Sequence, residues 1–504
     1  MKLEFAVLAM LHALLITLLC SLVTIPLANS TETAQLARQQ YIDLSELIDK
    51  KGLVAANSDM TAMYALDLKE AAGPTKLFDL QIFRRVSLYA STGYVPDNSD
   101  GGGGPQACEF PFASSPSRSR THLTISPNEK WAAVVFTSGP VYAQAWDEAT
   151  IHGYVIDLEE PNRECNLTKF MEVPAGVHGF AAFSQDSQHL YVNLPYAAWP
   201  PAEPIWGRTA GTVRHYQISD QDLWTLTGVI EESFNSFPTQ NAGFATSFVM
   251  SDDRSIKAAF SAAARIKASE AAEDRQSLLG YIPEAASRNP NLPGVFVRSG
   301  LSSQFFPFPL ANAALLHQYE TYSEARIGRR IGISGDGMTV VAGYLDPTAI
   351  LSGLPFNQMT TIEYQGGTWA ADTRTLNLKP CIAPEALYEA PITDLVLSSD
   401  GRRLIVLATD TVGNASSYGI CAFSRDGSEW RPLNQLSQNV SEQLNELNLA
   451  YTTTDKITAN NDLSRVAVQW TTKLLQFDIE WQEEEDEATG LPIWLLYEAS
   501  RSNN

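Results

Sequence analysis

The sequence predicts an all-β fold: a seven-bladed β-propeller of four-stranded antiparallel blades, with a short N-terminal helical segment and a helical insertion. Three observations lead there. A hairpin pattern of apolar run, polar turn and apolar run recurs seven times in the 504 residues. Several copies continue into a third run, a second turn and a fourth run that opens near a Trp. Charged residues make up 18% of the chain and hydrophobic ones 44%, which supplies a large core and excludes a disordered or coiled-coil protein.

The clearest copy spans residues 330–344. Two short apolar runs flank Ser334-Gly335-Asp336-Gly337. Ser and Asp bond their own backbone and Gly accepts left-handed φ, so these four residues are turn chemistry. The flanks carry no charge inside, as strands buried on both faces do not. The other copies turn at Asn57, Ser126, Ser184, Ser251, Ser398 and Asn460, so that successive turns lie 58 to 83 residues apart. One such hairpin cannot bury its apolar faces, whereas stacked copies can. The second half is legible at 212–224, 360–369 and 417–433, where the fourth run begins near Trp224, Trp369 and Trp430. These Trp residues read as packing between blades. Ser334 and Asp336 read as turn-formers, because the same turn returns in other copies.

Ser-x-Asp-Gly followed by an apolar strand resembles the blade motif of WD40-like and TolB-like propellers. Residues 331–343, with Gly367-Thr368-Trp369, resemble FG-GAP repeats, the integrin-α type of blade, more closely. The resemblance is carried mainly by that blade and the next. It implies the propeller fold. Many such blades hold calcium through alternating Asp/Asn residues between their first two strands, and that loop is absent here. No cofactor is therefore expected, with calcium the weak alternative.

Three segments divide the chain. Residues 1–30 read as a signal peptide: Lys2, an apolar run over 5–27, then Ala28-Asn29-Ser30, with cleavage expected after Ser30. The run is also long enough to span a bilayer, so an uncleaved N-terminal membrane anchor is the alternative. Residues 31–52 are polar and, over 31–51, read as weakly helical. Residues 53–504 form the propeller. The body is expected outside the cytoplasm, secreted or periplasmic. Four cysteines then remain: Cys108, Cys165, Cys381 and Cys421. An even number in an exported chain suggests two disulfides, with Cys108–Cys165 and Cys381–Cys421 favoured because each would join neighbouring repeats. Free buried thiols are the alternative. Asn166, Asn414 and Asn439 each open a glycosylation sequon. The net charge of −22 repels nucleic acid and anionic lipid, so no nucleic-acid partner is expected.

Sites on a propeller sit in loops, because the strands are committed to packing. Four interruptions of the repeat stand out. The stretch 97–105 is a Gly-rich surface loop. The stretch 194–207 sets Tyr196, Trp199 and Trp206 among prolines, between the second and third strands of its blade. It is the best ligand candidate, able to stack on a sugar or grip a peptide, against the alternative of a loop folded on its own blade. Residues 261–299 have helix-forming composition. Residues 480–490 carry five successive acids, from 483 to 487, and read as a solvated turn between the last two strands. His122, His152, His178, His189, His215 and His317 stand in no metal or catalytic spacing, and no nucleophile-elbow motif occurs. The expected function is an exported scaffold that binds protein or glycan through end-face loops. The alternative is a propeller hydrolase or lyase, lactonase-like, with a site assembled at the channel mouth.

Overall fold

Seven antiparallel sheets make up the structure, a computed structural model that describes residues 31–43, 53–69, 75–85, 94–96, 106–111, 121–138, 150–159, 167–174, 179–194, 212–231, 242–265, 291–300, 302–309, 330–346, 357–376, 378, 392–410, 417–446, 456–470 and 473–484. Blade 1 runs outward through β2 (Leu53–Ala56), β3 (Ala62–Lys69) and β4 (Thr75–Arg85). Its outer strand is split into β5 (Tyr94–Pro96) and β6 (Gln106–Pro111), which pair with opposite ends of β4. Blade 2 is β7 (Thr121–Ile125), β8 (Trp131–Ser138), β9 (Thr150–Asp157) and β10 (Leu167–Pro174). Blade 3 is β11 (Phe180–Phe183), β12 (His189–Leu194), β13 (Thr212–Ile218) and β14 (Trp224–Glu231). Blade 4 is β15 (Ala242–Met250), β16 (Ile256–Arg265), β17 (Asn291–Ser299) and β18 (Ser302–Pro307). Blade 5 is β19 (Arg330–Ile333), β20 (Thr339–Leu345), β21 (Asn357–Gln365) and β22 (Thr368–Thr375). Blade 6 is β23 (Ile392–Leu397), β24 (Arg403–Asp410), β25 (Ser417–Asp426) and β26 (Glu429–Pro432). Blade 7 is β27 (Lys456–Ala459), β28 (Arg465–Trp470), β29 (Lys473–Glu484) and, closing it, β1 (Thr31–Asp43).

The seven-bladed propeller is thus as the repeat predicted, and the outer-strand Trp residues stand where expected. Each seam between neighbouring blades holds its own apolar cluster, from Tyr64 with Phe136 between blades 1 and 2 round to Met63 with Leu474 between blades 7 and 1. The second strand of a blade is covered on both sides, so β8 and β12 are almost wholly buried. Trp224 packs edge-on against Trp131 of blade 2, and Trp430 Nε1 donates to Thr361 Oγ1 of blade 5 at 3.0 Å.

The turn between the first two strands is one device used seven times. Its first residue is Ser or Asn, and that side chain accepts from the backbone N–H five residues on. Examples are Thr339 N to Ser334 Oγ at 3.0 Å and Ala62 N to Asn57 Oδ1 at 2.9 Å. Its third residue is Asp or Asn and accepts from the N–H two residues on, as Met338 N does to Asp336 Oδ1 at 2.9 Å. The fourth residue takes positive φ: Gly337 and Gly401, but also Met60, Glu129, Ser187, Arg254 and Leu463. Two side-chain acceptors hold the turn firmly enough that a non-Gly residue tolerates left-handed backbone there.

Three expectations are corrected. Residues 31–43 are a strand, not a helix. β29 would otherwise present an open edge, and pairing with β1 from Thr31↔Glu484 to Asp43↔Lys473 overrides the helix-favouring composition. The propeller therefore starts at Thr31, before residue 53. The segment 261–299 is strand at both ends, because β16 runs to Arg265 and β17 starts at Asn291. Only 266–290 is left for an insertion, and it lies outside the described residues, as do 44–52. Residues 480–484 belong to β29, the third strand of blade 7, whose fourth strand comes from the other end of the chain, while 485–490 lie outside the described residues.

Helix α1 (Asn434–Glu446) was not anticipated. β26 is short and pairs only Phe423 to Asp426 of β25. The rest of that edge is satisfied by the helix: Ala422 N donates to Ser437 Oγ and Ile420 N to Ser441 Oγ, both at 3.0 Å. Leu436 and Val440, on the same helix face, enter the apolar cluster between blades 6 and 7.

Candidate functional site

Up-and-down blades put first-to-second and third-to-fourth connections on one face of the disc. Second-to-third and blade-to-blade connections fall on the other. The first face holds the seven bonded turns and is called the turn face. The second carries the longest connections within blades, 195–211 in blade 3 and 266–290 in blade 4, and is called the loop face.

At the turn face, a cavity of about 370 Å³ opens between the inner strands of blades 3 to 7. Its wall is apolar, with Phe183, Phe248, Ile333, Val396 and Ala459 supplied by five blades. Its collar is the second residue of each turn: Gln185, Asp252, Gly335, Ser399 and Asn461. The collar is tied together through backbone. Asp252 N donates to Gly335 O at 2.9 Å, Gly335 N to Ser399 O at 2.8 Å, and Ser399 N to Asn461 O at 2.7 Å. The approach is close at Gly335: a Cβ there would stand 2.2 Å from Ser399 Oγ and 2.4 Å from Asp252 Oδ2, so both side chains would have to move. In blade 2 the equivalent residue is Pro127, which has no N–H to donate.

Histidine and carboxylate do not converge on this cavity among the described residues; its one charged lining group is Asp252. The described histidines stand at seams and on blade surfaces. His122 Nδ1 accepts from Ala181 N at 3.2 Å. His152 Nε2 lies 2.7 Å from Ser138 Oγ on blade 2, its ring stacked on Phe136. His189 Nδ1 and His215 Nε2 lie 2.8 Å apart at the seam of blades 3 and 4, and His215 Nδ1 lies 3.1 Å from Thr227 Oγ1. Tyr191 stacks on His215 with ring centres 4.5 Å apart, and Lys257 Nζ lies 5.9 Å from the Tyr191 ring. Arg254 reaches Asp186 at 3.2 Å across the same seam.

Burial pushes His215 down to about 4, helped by the neighbouring His189, Lys257 and Arg254 charges. Burial lowers His189 as well, with Asp186 opposing. The unfolded chain thus binds protons between about pH 6.5 and pH 4 that the folded chain refuses, so stability falls as pH drops through that window. Thermal unfolding at pH 7, 5.5 and 4 should show a declining midpoint in the parent protein. His215→Phe, which keeps the ring on Tyr191, should flatten the decline. An equally steep decline in that variant would remove the pair as its cause.

Tyr196, Trp199 and Trp206 lie outside the described residues. The ends of their connection are described, Leu194 closing β12 and Thr212 opening β13, which confirms that it joins the second and third strands. The Gly-rich stretch 97–105 also lies outside them, between the two halves of the outer strand of blade 1. Cys421 is fully buried on β25, with Sγ 3.9 Å from Leu378 O. Cys108 stands on β6, while Cys165 and Cys381 lie outside the described residues, as do Asn166, Asn414, His178, His317 and residues 1–30. Asn439 stands on α1, and its sequon partner Ser441 is buried and bonded to β25. Among the described residues no helix is long and apolar enough to cross a membrane.

No known family profile matches the chain, and no curated protein does. Solved structures do. A hypothetical selenium-binding protein from Sulfolobus tokodaii is similar over 86% of this chain and 90% of its own, at TM-score 0.42 and 10% identity. Kuenenia stuttgartiensis hydrazine synthase is similar over 86% of this chain and 95% of its own, at TM-score 0.40 and 11% identity. The Dos1 propeller is similar over 87% and 94%, at TM-score 0.37 and 10% identity. The seven-bladed assignment rests on the sheet topology itself.

Proposed function

We propose that this protein is an exported propeller scaffold that binds a protein or glycan partner through its loop face. The supporting observation is the asymmetry of the two faces. On the turn face, the first and third residues of each repeated turn spend side-chain acceptors on their own backbone. On the loop face, the longest connections of blades 3 and 4 start from neighbouring blades, and the first contains Tyr196, Trp199 and Trp206. Rigid blades that hold adjacent long connections are a common basis for recognition, and Trp and Tyr supply most of the binding energy at such surfaces. Glycan-array and pull-down binding should fall at least about tenfold in Tyr196→Ala/Trp199→Ala/Trp206→Ala, with an unchanged unfolding midpoint. Undiminished binding by the triple variant would remove the aromatic loop from the reading.

Export carries a covalent corollary. We propose that Cys421 pairs with Cys381, because its sulfur sits against Leu378 O and three residues reach roughly 10 Å. Peptide mapping of the exported protein without reductant should recover that linked pair. Recovery of both as free thiols would reject it.

A further inference from the structure

The cavity at the turn-face mouth has a chemistry of its own, separate from the loop face. Three collar N–H groups, those of Asp252, Gly335 and Ser399, are consumed in the chain of backbone bonds from blade 4 to blade 7. Each carbonyl that accepts one of these bonds keeps a second lone pair. The Asp252 carboxylate stands beside Gly335 and has no cationic partner among the described residues. Three basic groups of neighbouring turns are engaged at the seams: Arg254 with Asp186, Arg403 with Asp462 O and the Trp481 ring, and Arg465 with Asp59 O. The collar is therefore rich in acceptors and poor in free backbone donors. Below it the wall is apolar and includes two Phe rings, and the volume lies within the range of small-ligand sites.

We propose that the channel mouth binds an amphipathic primary amine, with its apolar body between Phe183, Phe248 and Ile333 and its ammonium at the collar on Asp252 and the ring carbonyls. An ammonium brings three N–H donors and a positive charge, which complements this collar. A carboxylate of the same shape would meet repulsion from Asp252 and find the N–H groups of Asp252, Gly335 and Ser399 already spent in the ring. The orientation follows from the geometry: the charged end stays at the mouth, and the apolar end fills the cavity. A lysine side chain entering from outside would place its charge deep in the apolar wall. The chemistry fits a free small amine, or equally the α-amino end of a chain whose first residue is apolar.

The test is an NMR titration of the whole protein with 2-phenylethylamine, 2-phenylethanol and 3-phenylpropanoate, which share one apolar body and differ in head group. The amine should bind tightest, by about tenfold over the alcohol, the scale of one charge-assisted hydrogen bond, and should weaken with added salt. Asp252→Asn should abolish the preference for the amine. Asp220→Asn, on a turn of blade 3 outside the cavity, should leave it intact. A parallel arm compares Leu-Gly-Gly with its N-acetylated form. Binding of the free peptide alone extends the site to chain termini, and binding of the amine alone restricts it to small molecules. Equal binding of amine and carboxylate, an amine preference that survives Asp252→Asn, or no binding of the amine overturns the proposal. None of these outcomes depends on the aromatic loop, so the loop-face reading stands or falls separately.

Discussion

Removal of residues 31–43 is expected to abolish cooperative unfolding and to send most of the protein into aggregates. β1 is the outer strand of blade 7, and it is covalently the opposite end of the chain from the three strands that it completes. Twelve residue pairs join it to β29. Without them the β29 edge is exposed along Leu474, Leu475, Phe477 and Ile479, which are otherwise buried. A long apolar edge is a template for pairing with other chains. Closure also depends on side chains: Ala34 and Leu36 pack on the cluster that contains Phe477 and Ile479. Leu36→Asp should therefore weaken the ring without deleting any chain, by about 2 kcal/mol, the scale of placing a charge where an apolar group was half-buried. A synthetic peptide of residues 31–43 added to the truncated protein should restore the parent unfolding transition. If the truncated protein unfolds cooperatively at the parent midpoint, β1 is dispensable and the closure account is wrong.

That strand also shows where the sequence is hard to read. Residues 31–43 have no period-2 apolar alternation and a helix-favouring mixture of Ala, Gln and Leu. Their conformation is decided by an edge more than 400 residues away, which local composition does not report. The seven hairpins were legible because their determinants are local. Ser or Asn, then Asp or Asn, fall at fixed offsets and bond backbone within five residues. Helix α1 escapes the sequence because β26 has the pattern of an ordinary fourth strand. The available signal was Leu436, Ser437, Val440 and Ser441 at helical spacing. The site followed the same rule. The collar is made of the least regular position of the turn, occupied by Gln185, Asp252, Gly335, Ser399 and Asn461. Its significance lies in bonds between blades, for which the sequence has no pattern. Reading Ser334 and Asp336 as turn-formers was sound, yet the residue between them, Gly335, is the one that faces the channel.

Asp394→Ala is expected to be the most damaging single substitution of a charged residue on the inner strands, lowering stability by about 3 kcal/mol. Asp394 sits on β23, next to a register shift at the start of that strand, and is 8% exposed. Its carboxylate serves three blades. Oδ1 lies 3.3 Å from Arg330 Nε of blade 5 and accepts from Leu395 N of its own blade at 2.9 Å, while Oδ2 accepts from Ile457 N of blade 7 at 3.0 Å. Arg330 Nε also donates to Thr393 O, so its guanidinium keeps one partner when Asp394 is lost. Truncation leaves the arginine without its counter-charge and a buried N–H on β27 without an acceptor, and losses of this kind are large because the surviving groups stay desolvated. Asp394→Asn separates the contributions: it retains an acceptor for Ile457 N but removes the charge facing Arg330, and should recover about half of the loss. Denaturant unfolding of the three proteins gives the order directly, parent above Asn above Ala. A further variant, Arg330→Leu/Asp394→Leu, replaces the ion pair with apolar groups, and should lie above Asp394→Ala if the unpaired charge, rather than lost packing, causes the damage. Equal stability of Asp394→Ala and the parent would mean that the inner strands of blades 5, 6 and 7 hold together without this carboxylate, leaving apolar packing and the turn-face chain of backbone bonds to join those blades.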